Sequence, residues 1–201
     1  MIAIVDYDAG NLKSVEKALL HIGANPVVTK DPALIRRADK VILPGVGAFG
    51  DAMGKLEKYE LINTLKEVAV SGTPFLGICL GLQLLFSSSE ETKNIEGLSV
   101  LEGEICRFPE AEGLKIPHMG WNSLKITPGA RLFKGIEGEP YVYFVHSYYL
   151  KAKEQEIVAA TTEYGVTVHA SVEKGNLFAC QFHPEKSGET GLKILDNFIH
   201  L

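Results

Sequence analysis

The stretch Thr73-Pro-Phe-Leu-Gly-Ile-Cys79-Leu-Gly-Leu-Gln83-Leu-Leu-Phe86 limits the fold more than any other part of this sequence. It reads as a buried strand, Pro74 to Ile78, that breaks at a cysteine and continues as an apolar helix. Gly77 and Gly81 stand two residues before and two after the cysteine. This is the spacing of a nucleophile elbow, with Cys in the place of Ser. A side chain held on so tight a strand-to-helix turn sits in strained backbone, and bulky neighbours two residues away would collide. The turn lifts the sulfur above the sheet edge. It also places the sulfur at a helix N-terminus, where free N–H groups favour a thiolate. The alternative is a plain strand–helix junction with an inert buried thiol.

The rest of the chain supplies the setting for such a turn. Ile2 to Val5 is an apolar run. Asn11 is placed to cap a helix with Leu12, Val15, Ala18, Leu19 and Ile22 on one face, and Gly23 ends it. Pro26 to Thr29 reads as a second strand, Asp31-Pro32 as the start of a short helix, and Lys40 to Leu43 as a third strand. Tyr59 to Val70 has a helical apolar period. This alternation predicts an α/β fold: an open, mainly parallel central sheet with helices on both faces. After Phe86 the texture changes. Ser87 to Gly97 reads as a polar loop. Strand-like runs follow at Gly103–Phe108, Leu124–Ile126, Tyr141–Tyr149, Ile157–Thr162, Val166–Val172 and Leu177–Phe182, an added antiparallel β section. Thr190 to Leu201 reads as a last helix. No internal repeat or linker divides the chain, so residues 1–201 are expected to form a single domain.

Composition narrows the function. The net charge is −5 and no basic run occurs, which argues against a nucleic-acid partner. No apolar run approaches the roughly 20 residues of a membrane span, and the chain opens on a strand rather than a signal peptide, so a cytoplasmic protein is expected. The 3 cysteines have neither disulfide nor zinc spacing, and no metal or cofactor is expected. Cys106 and Cys180 read as structural thiols.

A cysteine nucleophile needs a base and an oxyanion pocket. Of the 6 histidines, His183 is singled out by Gln181-Phe-His183-Pro184-Glu185. It ends an apolar strand, Pro184 holds its backbone extended, and residues two apart then share a side, so Glu185 can orient the imidazole. His21 and His200 read as surface residues, and His169 as a strand residue without a polar partner. Pro44-Gly-Val-Gly-Ala-Phe-Gly50 matches the dinucleotide fingerprint by letter, but it follows the third strand instead of opening the first βα unit. Its glycines can instead expose backbone N–H groups to an oxyanion. Elbow, glycine loop and His-x-Glu all fall at strand ends, where open α/β sheets build sites. Together they indicate acyl chemistry on an amide or ester.

Gly77-Ile-Cys79-Leu-Gly-Leu-Gln83 with His183-Pro-Glu185 resembles the class I, triad-type glutamine amidotransferases, and the likeness runs from first strand to last helix. Pro44-Gly-Val-Gly47, Pro117-His-Met-Gly-Trp-Asn122, Tyr143-Phe-Val-His-Ser-Tyr148 and Gln181-Phe-His-Pro-Glu-Lys-Ser187 resemble the glutaminase subunits of imidazole glycerol phosphate synthase, of histidine biosynthesis. The resemblance implies that Cys79, His183 and Glu185 form the triad. It implies that backbone N–H groups of Leu80 and of Val46 or Gly47 hold the oxyanion. Gln83 and the segment His146-Ser147-Tyr148 would line the L-glutamine pocket. It further implies a separate (β/α)8-barrel cyclase subunit as heterodimer partner, which takes the ammonia through a channel and makes imidazole glycerol phosphate and an aminoimidazole carboxamide ribotide. Trp121 and Lys186 are the interface candidates. Glycines on both sides of Val46 would let that peptide turn over when the partner is loaded. Other readings stay open at this point: the glutaminase of another synthase, a free-standing Cys-His hydrolase on the same fold, or a dinucleotide-binding module built on Gly45 to Gly50.

Overall fold

The computed structural model describes residues 1–201. The first half runs β1 Ile2–Val5, α1 Leu12–His21, β2 Pro26–Thr29, α2 Pro32–Arg36, β3 Lys40–Gly45, α3 Phe49–Lys58, α4 Leu61–Val70, β4 Phe75–Cys79 and α5 Leu80–Leu84. The second half runs β5 Ser88–Ser89, β6 Gly103–Arg107, β7 His118–Ser123, β8 Lys125–Ile126, β9 Tyr141–His146, β10 Tyr148–Ala152, β11 Val158–Glu163, β12 Thr167–Lys174, β13 Leu177–Cys180 and α6 Gly188–Ile199.

Eight strands form the central sheet in the order β2-β1-β3-β4-β13-β12-β11-β8. The first five are parallel and the last three antiparallel. Alternation along each strand explains why helices cover both faces. Ala3, Val5, Val41 and Leu43 pack with Ile35, Leu56 and Leu65 from α2, α3 and α4. Ile4, Ile42, Leu76 and Ile78 face the other way, against Val15 and Leu19 of α1 and Leu195 and Phe198 of α6. A three-stranded sheet (β10-β6-β5) and a two-stranded ribbon (β7-β9) complete the β section. The mainly parallel sheet with a second, antiparallel section is thus the architecture expected. No helix is long and apolar enough to cross a membrane.

Register places the site. Gly45 pairs with Cys79, and Cys180 with Ile78, so β3, β4 and β13 end level at one carboxyl edge. There, the chain crosses between neighbouring strands and opens a crevice.

Several local expectations need correction. Asn11 stands at the N-cap of α1 but its side chain makes no capping bond. Helix α3 was not expected. Its Phe49, Ala52, Met53 and Leu56 are all buried at helical spacing, but Gly50 and Gly54 dilute the propensity that would have announced it. Left-handed Glu60 (φ 56°) separates it from α4, which therefore starts at Leu61 and not Tyr59. The run Tyr141–Tyr149 is two strands in two sheets, breaking at Ser147. Ser87–Gly97 is not simply loop: Ser88 and Ser89 pair in parallel with β6. Strand β13 stops at Cys180, short of Phe182. His169 does have a polar partner, the Ala152 N–H at 3.0 Å.

Candidate active site

Cys79 ends β4 and caps α5 with φ 55° and ψ −107°. A positive φ in a non-glycine residue costs on the order of 1–3 kcal/mol, held here by the packed sheet. Both flanking glycines are required, for different reasons. A Cβ on Gly77 would lie 2.8 Å from the Gly81 carbonyl oxygen, within the turn itself. One on Gly81 would overlap the carbonyl oxygen of Leu43, on the neighbouring strand β3. The elbow is thus shaped by the strand beside it as well as by its own curvature.

His183 lies three residues past β13. Its backbone is extended (φ −100°, ψ 97°), as the following proline requires. Glu185, however, sits in a 3-10 turn, Pro184–Lys186, rather than in extended chain. The two side chains meet all the same: His183 Nδ1 and Glu185 Oε1 are 2.8 Å apart, with side-chain exposures of only 2% and 1%. The turn is pinned to β9. The His183 N–H donates to Tyr143 O (2.9 Å), the Tyr143 N–H to Ser187 Oγ (3.0 Å), and the Ser187 hydroxyl to His183 O (2.6 Å). With Nδ1 occupied, Nε2 is the nitrogen left for Cys79, and it makes no hydrogen bond within the chain. Burial alone would lower the His183 pKa, but a Cys79 thiolate and then Glu185 outweigh it and push it up to about 10. The pull of Cys79 on the ring comes first from hydrogen bonding to the thiolate and then from its charge.

A cavity of about 290 Å³ opens over the cysteine. Val46, Gly47, Leu80, Gln83, His146, Ser147 and Tyr148, all expected at the site, line it together with Cys79 and His183. Gly47 has φ 102°, a conformation that favours glycine. Glu185 stands behind His183. Trp121 and Lys186 are outside the cavity: Trp121 packs edge-on to Tyr143, and the Lys186 ammonium lies 6.0 Å from the centre of the same ring. With Met119 and Tyr141 they form an open face on the β7–β9 ribbon, where Trp121 is 56% exposed.

The sequence reading missed Glu91, the only acidic side chain lining the cavity. Its Oε2 accepts the Phe49 N–H (2.7 Å), and Thr92 Oγ1 accepts the Gly50 N–H (3.2 Å), so the 91–92 turn caps α3 just after the glycine loop. The cap comes from more than forty residues away, so no local N-cap signal marks it.

A neutral histidine pair runs inward from the cavity wall, with His146 on the wall and His118 behind it. His146 Nδ1 is 2.8 Å from Tyr148 O, a pure acceptor, and so carries the proton. His146 Nε2 must then accept, which makes His118 Nδ1 (2.9 Å) the donor. His118 Nε2 accepts in turn from Asn122 Nδ2 at 3.3 Å. His118 is stacked between Phe144 and Tyr164. Burial lowers its pKa to about 4 and that of His146 to about 3.

A strained cysteine, a buried His–Glu pair and a small cavity at one sheet edge suit nucleophilic attack on an acyl carbon. Comparison with known proteins gives the family. Residues 3–201 match the family "Glutamine amidotransferase class-I". A Moorella thermoacetica protein named imidazole glycerol phosphate synthase subunit HisH is 54% identical over 197 residues, covering 98% of this chain and 93% of that protein. The Methanothermobacter thermautotrophicus protein of the same name is 51% identical over 201 residues, covering 100% and 98%. Among solved structures, a glutamine amidotransferase superposes with a TM-score of 0.76 at 19% identity, covering 98% of this chain and 99% of that one. The Thermotoga maritima PurLQS structure superposes with a TM-score of 0.74 at 20% identity, covering 99% and 97%. On this fold and at this level of identity, the chain belongs to the class-I glutamine amidotransferases, and within them to the family of imidazole glycerol phosphate synthase subunit HisH.

Proposed function

We propose that this chain is the glutaminase subunit of an imidazole glycerol phosphate synthase, acting as one amidotransferase domain over residues 1–201. The observation that carries the reading is the buried His183–Glu185 pair sharing a cavity edge with the strained Cys79, in a chain 54% identical to a protein of that name.

The geometry supports the following roles. Cys79 Sγ bonds to the side-chain amide carbon of L-glutamine, and the carbonyl electrons move onto oxygen. The N–H of Leu80, first in α5, and that of Val46 or Gly47 receive this oxyanion, an interaction whose loss typically costs about 10²–10³ in rate. The C–N bond then breaks, and His183 Nε2 gives its proton to the departing ammonia. Glu185 holds the other ring nitrogen and steadies the imidazolium. Water, deprotonated by His183, attacks the thioester and releases glutamate and the thiol. The substrate's far end carries an ammonium group. Glu91 is the one carboxylate available to it in the cavity, and His146, Ser147 and Tyr148 form the opposite wall. Both amide hydrogens of Gln83 are spent, on Tyr148 O and Gln181 Oε1 at 3.1 Å each, so its oxygen is what it offers the substrate.

The ammonia passes to a separate (β/α)8-barrel cyclase subunit, which uses it to form imidazole glycerol phosphate and aminoimidazole carboxamide ribotide. The face bearing Trp121 and Lys186 is where that subunit docks. Support for this comes from the aromatic, open ribbon beside the cavity, since Trp and Tyr are enriched at interface hot spots.

The test is glutamate release from glutamine, with and without the cognate cyclase subunit and its ligand, for wild type and Cys79→Ala. Strong stimulation by the loaded partner, lost in the variant, is expected. Full activity of the isolated chain would point instead to a free-standing hydrolase, and turnover by Cys79→Ala would remove the triad.

A further inference from the structure

Gln181, two residues before the base, has no part in the chemistry described so far. It is fully buried, and its backbone N–H is tied to Ala170 O at 2.8 Å. Its side-chain amide lies between Gln83 and the nucleophile. Gln181 Oε1 is 3.1 Å from Gln83 Nε2, and Gln181 Nε2 is 3.7 Å from Cys79 Sγ.

The orientation of this amide is fixed by its neighbours. Tyr148 O can only accept, so the end of Gln83 that faces it is Nε2. The same Nε2 faces Gln181, which must present Oε1 to it. The end of Gln181 left for the sulfur is therefore the NH₂ group, a donor. Turning Gln181 over would set two NH₂ groups against each other and a carbonyl oxygen against Sγ. A thiol is a weak acceptor, whereas a thiolate receives a charge-assisted bond. A buried amide donor aimed at sulfur therefore suits the ionised form. Val145 O, at 4.0 Å from Sγ, suits the S–H form. His183, Tyr7 and Cys180 are the titratable groups that feel the charge on Cys79.

We infer that Gln181 is a hydrogen-bond donor to the nucleophile, holding the Cys79 sulfur beneath the pocket and favouring its thiolate. Gln83 locks the donor in place, so the residue that meets the substrate is joined directly to the one that orients the sulfur. The inference rests on Cys79 being the nucleophile, as proposed above.

The test measures the pH dependence of Cys79 alkylation by iodoacetamide, site by site by mass spectrometry, in wild type, Gln181→Leu and Gln181→Glu. In Gln181→Leu the alkylation profile of Cys79 should move to higher pH, lowering its alkylation at neutral pH by about tenfold or less. The kcat for glutamine should fall similarly while KM stays within about twofold, the pattern of a lost transition-state interaction. Gln181→Glu keeps the volume and the acceptor for Gln83 but sets a carboxylate against the sulfur, so its loss should be larger. A residue that only fills the core would change the melting temperature and leave the alkylation profile untouched, and a folded variant behaving so would overturn the inference. Should neither variant fold, the wild-type protein decides. The Gln181 side-chain NH₂ resonances should shift as Cys79 titrates and stay constant in Cys79→Ala. Resonances that ignore the titration would refute the bond. Glutamine hydrolysis surviving in Cys79→Ala would instead strike the functional reading itself.

Discussion

Acidification should destabilise this protein through two histidines that stand outside the triad. The hydrogen-bond chain from Asn122 through His118 and His146 to Tyr148 O is satisfied only with both rings neutral. Protonating either one puts two N–H groups face to face. Both folded-state pKa values lie well below the ordinary 6.5, at about 4 and about 3. The unfolded chain therefore binds more protons, and stability is full above about pH 6.5 and falls as the pH drops below it. Each unit of pH costs about 1.4 kcal/mol per fully buried group. From pH 6.5 to 5 that is about 2 kcal/mol for His146. For His118 we take about half, because its Nε2 end reaches the part-exposed Asn122. The sum, about 3 kcal/mol, is a large share of the 5–15 kcal/mol typical of a domain. His169, lowered by burial as well, adds with the same sign. His183 works in the opposite direction. Its raised pKa stabilises the fold below 6.5 and loses that contribution as the pH climbs towards 10. The lowered carboxylates, Asp8, Asp39 and Glu102, act only in stronger acid. Urea melts at pH 7.5, 6.5 and 5.0 with an unchanged slope should show the drop, and nitrogen NMR should find the proton on Nδ1 of both rings. Stability that is flat or rising from pH 6.5 to 5 would refute the neutral pair.

Three further outcomes are expected. Gly81→Ala, whose methyl group would overlap the Leu43 carbonyl, should leave little soluble folded protein; normal melting and activity would mean that β3 yields more readily than its hydrogen bonds suggest. In Cys79→Ala the NMR titration midpoint of His183 should fall well below 10, since burial then opposes Glu185 alone; an unmoved midpoint would rule out Cys79 as a source of the shift. Ser187→Ala removes the hydroxyl between the Tyr143 N–H and His183 O, which should cost about 1–3 kcal/mol in denaturant melts and lower kcat more than it raises KM; wild-type kinetics would show that the turn holds itself.

Much of the site could be read from the chain because its parts are local. The elbow is a five-residue pattern, and His183 with Glu185 is a three-residue one. The glycine loop directly follows an apolar strand. What escaped was long-range or diluted. Helix α3 hid behind its two glycines. Glu91 reaches the cavity by capping that helix from a segment that looks like surface loop. The His118–His146 pair forms only because β7 and β9 are antiparallel with these two residues in register. The break at Ser147 was invisible because the residues on both sides are equally strand-like, and only their different partners, β7 and β6, separate them. The contact between His183 and Glu185 was right for a partly wrong reason, since a tight turn and not extended backbone brings them together.

The pinning of His183 to β9 has a consequence for anyone redesigning this molecule. Cysteine and histidine leave adjacent strands of one sheet but are fixed by different supports. One is welded into the parallel sheet by Gly81 and Leu43, while the other hangs from the ribbon through Tyr143 and Ser187. Their separation is therefore an alignment tolerance between two parts, and misplacement by about 1 Å can cost 10²-fold in rate. Side chains on the outer face of β9 can be exchanged without touching the suspension. A proline at 143 cannot be accommodated so easily, because it deletes the N–H from which the base is hung.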